Sequence, residues 1–148
     1  MSFNKEYLGE FHEAMKRRAG FPLRLNKASV DNNYIGWSCF GRKGFKLFVS
    51  MHQDDDWICV NFGIDSRDQK HHFTTLLEKR VEIEKNIGKE LYWELKGNEI
   101  SNTQAKLTNY NVNIRNRDLW VGQHAWILEH LEKMYFAFKP HVDRLVTD

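Results

Sequence analysis

Apolar positions recur every three or four residues at the start of the chain. Tyr7, Leu8, Phe11, Met15 and Ala19 make one stripe between Asn4 and Ala19, and Gly20 supplies a stop. A helix is predicted there. Pro22 disfavours helical backbone at the residue before it, and Leu23 and Leu25 alternate with Arg24 and Asn26, which predicts a short edge strand. Three runs rich in aromatic and β-branched residues follow: Tyr34–Phe40, Phe45–His52 and Trp57–Ile64. The turn-like tetrads Gly41–Gly44 and Gln53–Asp56 separate them, so an antiparallel meander is the simplest pairing. In the middle run Phe45, Leu47, Val49 and Met51 alternate with Lys46, Phe48, Ser50 and His52, the period of two that sends one set to a core.

The second half switches period again. Ser66–Gln69 has the form of a capping box, and Phe73, Leu76, Leu77, Val81, Ile83 and Ile87 follow at near-helical spacing as far as Gly88, which predicts one helix of about five to six turns. Leu91, Trp93 and Leu95 alternate with polar neighbours up to Gly97-Asn98, as a strand does. Asn98 to Asn116 holds six Asn in 19 residues, with Leu107, Tyr110, Val112 and Ile114 suggesting one further strand in an irregular stretch. From Asp118 to Phe138, Trp120, Val121, His124, Ile127, Leu128, Leu131, Met134, Tyr135 and Phe138 line a helical face that Pro140 ends or bends. The order α-β-β-β-β-α-β-β-α predicts an α+β two-layer domain. Its antiparallel sheet has about five to six strands, with an N-terminal, a middle and a long C-terminal helix mainly on one face.

Composition narrows the class. A chain of 148 residues suits a single domain, 1–148, and 41% hydrophobic residues with 20 aromatics and 2 Pro exclude disorder. Apolar runs are too short to span a bilayer, and Met1–Glu6 lacks the apolar centre of a signal peptide, so a soluble, cytoplasmic protein is expected. Cys39 and Cys59 lie in apolar strand-like segments and are expected to be reduced and buried. Twenty-two basic against 20 acidic side chains leave a net charge of +2, too small to imply a polyanion partner by itself.

Candidate chemistry is sparse. Glu94-Leu95-Lys96 is an acidic-x-lysine strand of the kind metal-dependent nucleases use: the carboxylate holds Mg²⁺ and the lysine activates the nucleophile. Asp65 or Asp56 would supply the second carboxylate, although a helix is predicted between Asp65 and Glu94. Asp54–Asp56 reads as a solvated turn, the adjacent His71 and His72 cannot chelate one ion, and His124 reads as a core or boundary histidine. No metal site and no cofactor are expected. Residues 1–30 carry six basic against three acidic side chains, whereas 31–66 carry three against five. Arg17, Arg18, Arg24, Arg42 and Lys43 are therefore the candidate phosphate-binding residues, if they converge.

The segment Leu77–Gly88, LEKRVEIEKNIG, followed by Leu91-Tyr-Trp93-Glu94, resembles the helix-to-strand block of a bacterial and archaeal domain family of unknown function. Trp120, His124, Trp126, Ile127, Leu131, Phe138 and Pro140 resemble that family's closing helix, so the likeness covers roughly residues 34 to 146. It implies a domain found alone or as the C-terminal part of larger proteins, some with restriction-nuclease-like regions, and it names no catalytic residues. The residues and the resemblance together predict a non-catalytic accessory or regulatory binding module linked to bacterial nucleic-acid transactions or defence. Its partner would be a protein or a nucleic acid, and no membrane. The alternative is a metal-dependent nuclease of the restriction-endonuclease-like type using Asp65, Glu94 and Lys96.

Overall fold

In the computed structural model, residues 3–16, 33–52, 56–65, 69–94 and 103–146 are described. Helix α1 (Phe3–Lys16) buries Tyr7, Leu8, Phe11 and Met15, the stripe predicted from their spacing. Asn4 Nδ2 donates to Asn33 Oδ1 and ties this helix to the residue before the first strand. The predicted end of the helix at Ala19–Gly20 and the edge strand at Leu23–Leu25 lie outside the described residues.

Strands β1 (Tyr34–Trp37), β2 (Phe45–His52), β3 (Trp57–Ile64), β4 (Tyr92–Glu94) and β5 (Thr103–Asn109) form one antiparallel sheet of order β1-β2-β3-β5-β4. The first three strands are the predicted meander. Their first turn needs left-handed backbone at Gly41 (φ +70°) and Gly44 (φ +90°), where a side chain would be strained. Ile35, Trp37, Phe45, Leu47, Val49, Met51, Ile58, Val60, Phe62, Ile64, Ala105 and Leu107 are buried on one face of the sheet, as alternation and register require.

That face carries the helices. The Phe138 ring stacks on Phe62 with centroids 4.0 Å apart, Phe11 meets Trp37 at 6.3 Å, and Phe73 meets Trp93 at 6.0 Å. Residues of α1, α2 (Gln69–Leu77) and α4 (Trp120–Asp143) thus reach the same side of the sheet, and the molecule is an α+β fold with a long C-terminal helix. Among the described residues no helix is long and apolar enough to cross a membrane.

Three elements differ from their predicted form. The middle helix is two helices, α2 and α3 (Arg80–Ile87), broken by a turn at Glu78-Lys79 in which the Lys79 N–H bonds the Leu76 carbonyl at 2.9 Å. Neither Gly nor Pro stands there to mark the break. Val81, predicted to face the core, is 76% exposed; it lies two residues from the buried Ile83, about 200° around the helix, so the two cannot share a face. Gly88 does supply the left-handed cap (φ +82°), and the Glu84 carboxylate accepts from the Leu91 N–H at 2.8 Å and Trp93 Nε1 at 3.2 Å, which holds β4 against α3.

The last strand, predicted inside Asn98–Asn116, contains Leu107 but stops short of Tyr110, Val112 and Ile114. Tyr110 is 77% exposed, and Ile114, although buried, sits in a turn whose carbonyl accepts from Trp120 Nε1 at 2.6 Å. Here the asparagines organise the loop through their side chains. The Oδ1 atoms of Asn109, Asn113 and Asn116 accept from the N–H groups of Asn111, Arg115 and Asp118, each two residues on, at 2.9–3.2 Å. Finally, α4 does not end at Phe138: Pro140 stands inside it, and the helix runs to Asp143.

Candidate functional site

With the helices on one face, the strand register sets out the other. Gly36, Phe48, Asn61, Lys106 and Tyr92 are cross-strand partners in one row, Tyr34, Ser50, Cys59 and Thr108 in the next, and Lys46, Gly63, Gln104 and Glu94 in a third. Partners in a row project to the same side. The centre is small and polar: Asn61, 1% exposed, donates from Nδ2 to the Ser50 hydroxyl at 3.1 Å and to the Phe48 and Cys59 carbonyls, and Cys59 Sγ lies 2.9 Å from Thr108 Oγ1.

Two glycines let rings settle on this face. A Cβ built on Gly36 would meet the Tyr34 hydroxyl oxygen at 2.5 Å, and one on Gly63 would meet the Phe48 ring at 2.9 Å. Tyr34 and Phe48 therefore lie low over glycine backbone, with their centroids 5.3 Å apart and their planes 35° from parallel. Lys46 places its ammonium 5.7 Å from one ring and 5.3 Å from the other, and Lys106 stands 5.8 Å from the ring of Tyr92 on the edge strand, which is 64% exposed. A groove of about 380 Å³ runs between these groups, bordered by Tyr34, Lys46, Phe48, Trp57, Asp65 and Lys106. A second depression of about 390 Å³ shares Tyr34, Lys46 and Asp65 with it and adds Lys43.

The acidic candidates border the same surface. Asp65 follows β3 and is exposed, its N–H bonded to the Gly44 carbonyl at 2.6 Å; Glu94 lies on β4, with its carboxylate 3.1 Å from the Lys106 ammonium. Strand β5 stands between them, so Gly63 and Glu94 backbones in one row are two strand spacings apart, about 9.6 Å, and Asp65 is two residues further along. Lys96 lies outside the described residues. Among those described, no group of three or more His, Cys, Asp or Glu side chains could hold a metal ion.

Of the basic candidates, Arg17, Arg18 and Arg24 lie outside the described residues, and Lys43 is exposed in the β1–β2 turn. Arg42 is engaged elsewhere. Its guanidinium donates to the Val142 and Leu145 carbonyls at 3.0 Å and the Val146 carbonyl at 2.5 Å, and it rests 5.1 Å from the Phe45 ring. Arg42 thus ties the β1–β2 turn to the C-terminal end of α4 and the residues that follow it, where a cation is favoured.

His124 is half-buried beside Tyr7, ring centroids 4.4 Å apart, and burial pushes its pKa down to about 4, partly offset by a hydrogen bond to the Tyr7 backbone. A neutral imidazole in an aromatic nest fits the core or boundary role read from its spacing. Cys39 and Cys59 are both free and buried; burial raises the pKa of each, that of Cys39 to about 12, so neither thiol is a ready nucleophile.

Sequence reading missed Tyr34, Lys46, Phe48, Tyr92 and Lys106 as a group. A signal did exist: Phe48 stands in the β2 register otherwise filled by Lys46 and Ser50, an aromatic where alternation calls for a polar residue. The curated proteins and the solved structures contain no match to the chain. A family model does match, covering residues 3–142 and so extending the resemblance through α1, and the chain belongs to that family, described as a Domain of unknown function (DUF4268).

Proposed function

We propose that the domain is a non-catalytic binding module that takes nucleic acid on the outer face of its sheet. The observation that carries this reading is the groove itself, with lysines and aromatic rings side by side on the face of the sheet opposite the described helices. Lys43, Lys46 and Lys106 supply charge for phosphates, and of the two acidic neighbours Glu94 is already paired with Lys106. Arg17, Arg18 and Arg24 remain candidates for the same surface, whereas Arg42 serves α4. Phosphate contacts position a chain without reading its sequence, so specificity falls to a protein partner. The proposed setting, bacterial nucleic-acid transactions or defence, rests on the resemblance carried by the second half of the sequence.

Fluorescence anisotropy with labelled oligonucleotides at two salt concentrations tests this reading. The expected Kd is roughly 1–100 µM at physiological salt, weakening as salt rises. The double substitution Lys43→Ala with Lys46→Ala should flatten the log–log salt slope by up to about two, and Arg17→Ala with Arg18→Ala should do the same if those residues join the surface. Oligonucleotides incubated with Mg²⁺ or Mn²⁺ should stay intact. Cleavage lost in both Glu94→Ala and Lys96→Ala would replace this reading with a metal-dependent nuclease.

A further inference from the structure

We infer that the ligand of this face is a single-stranded polynucleotide, with its bases stacked on Tyr34, Phe48 and Tyr92 and its phosphates drawn to Lys46 and Lys106. The inference rests on the binding-module reading and deepens it. Three observations carry it.

First, Tyr34 and Phe48 lie over Gly36 and Gly63, positions at which any side chain would drive the rings away. Rings held in place against backbone on a half-buried face form a preorganised aromatic surface of the kind on which a nucleobase stacks. Duplex bases already stack on one another, so their faces are unavailable to such a platform.

Second, a lysine accompanies each platform. Lys46 stands within 5.3–5.7 Å of both ring centroids at one end and Lys106 within 5.8 Å of Tyr92 at the other, both within the range of a cation–π contact. A base laid on either platform carries its own phosphate, which the long lysine stem can follow while the ring is handed to the base. Lys106 also contacts Glu94, so its charge is partly offset and Lys46 provides the stronger phosphate contact.

Third, Phe48 and Tyr92 lie in one row, with Tyr34 in the next. From Phe48 to Tyr92 the register crosses β3 and β5, three strand spacings or about 14 Å, too far for one base and within reach of a short strand. Between them lie Asn61, buried with its amide donating to the Ser50 hydroxyl, and Lys106, so a strand crossing from one ring to the other passes over a low polar centre and beside the lysine.

Direct titration of labelled oligothymidylate and oligouridylate of about ten nucleotides, against a duplex of equal length, is the test. Both single strands should bind at least about tenfold tighter than the duplex. Because a stacked base contributes on the order of a 5- to 100-fold change in affinity, Tyr34→Leu and Phe48→Leu should each weaken binding by that factor at an unchanged salt slope. Tyr34→Phe, which keeps the ring, should stay within about twofold of the parent, whereas Gly36→Ala, which displaces the ring without removing it, should bind like Tyr34→Leu. The exposed edge residue allows Tyr92→Ala to be read even if an inner substitution unfolds the protein, and that variant too should weaken binding. Preference for thymidylate or for uridylate assigns the natural strand as DNA or RNA. Duplex binding as tight as single-strand binding, or ring removal at Tyr92 and Tyr34 without effect, would overturn the stacking inference while leaving the binding module in place. Absence of binding to every oligonucleotide would overturn both.

Discussion

Arg42 shows how little a cation's position in the sequence says about its use. Placed in a turn beside Lys43, it reads as a free surface charge; in the fold, its planar fork reaches three carbonyls at the end of a helix about a hundred residues away. Hydrogen bonds from a charged donor contribute roughly 1.5–3 kcal/mol, so Arg42→Ala should lower unfolding free energy by about that amount in chemical denaturation. Lysine cannot reproduce the fork, and Arg42→Lys should recover less than half of the loss. Both variants should bind oligonucleotides with the parent salt slope, since the guanidinium is turned to α4.

At the scale of elements, the contact of α1 with the start of α4 makes stability depend on pH. His124 sits among Tyr7, Phe11 and Trp120, with centroid separations of 4.4, 5.6 and 6.2 Å. Its pKa is about 4 in the fold against 6.5 for the free side chain, so the unfolded chain binds the proton more tightly. Protonation therefore favours unfolding: the histidine's neutral form costs nothing above pH 6.5, and stability falls as pH drops from 6.5 towards 4. Burial lowers the pKa of His130 and of His141 as well, although Glu129 and Glu82 oppose the shift, and both act in the same direction. Thermal melts at pH 7 and pH 4.5 should show the decline, and His124→Phe should reduce it relative to the parent. An identical pH dependence in that variant would show that His124 does not contribute.

For the whole molecule, one hydrophobic cluster joins both layers, running from Tyr7 and Phe11 through Leu47, Val60 and Phe62 to Leu131, Phe138 and Val142. The proposal that residues 1–148 form a single domain follows from that continuity. Leu131 is fully buried in α4, and Leu131→Asp would place an unpaired charge at the centre of the cluster, a loss of several kcal/mol in a domain whose total stability is roughly 5–15 kcal/mol. Near- and far-ultraviolet circular dichroism should then collapse together at 25 °C. A variant that kept its sheet signal while losing helix would show that the layers fold separately.

Local periodicity and turn chemistry carried much of this architecture. The α1 stripe, the three-strand meander and the Gly88 cap each depend on residues within a few positions of one another, and each is legible as written. The break between α2 and α3 was not legible, because neither Gly nor Pro marks it. Nor was the course of α4 through Pro140, because a helix packed against a core can tolerate a lost backbone hydrogen bond that would end it in isolation. The candidate site depended most on tertiary structure. Tyr34, Lys46, Phe48, Tyr92 and Lys106 come from four strands, and only the insertion of β5 between β3 and β4 sets Lys106 opposite both Asn61 and Tyr92. Alternation along a strand determines which side a residue faces; strand order, set by the burial of the whole sheet against its helices, determines which residues it faces there.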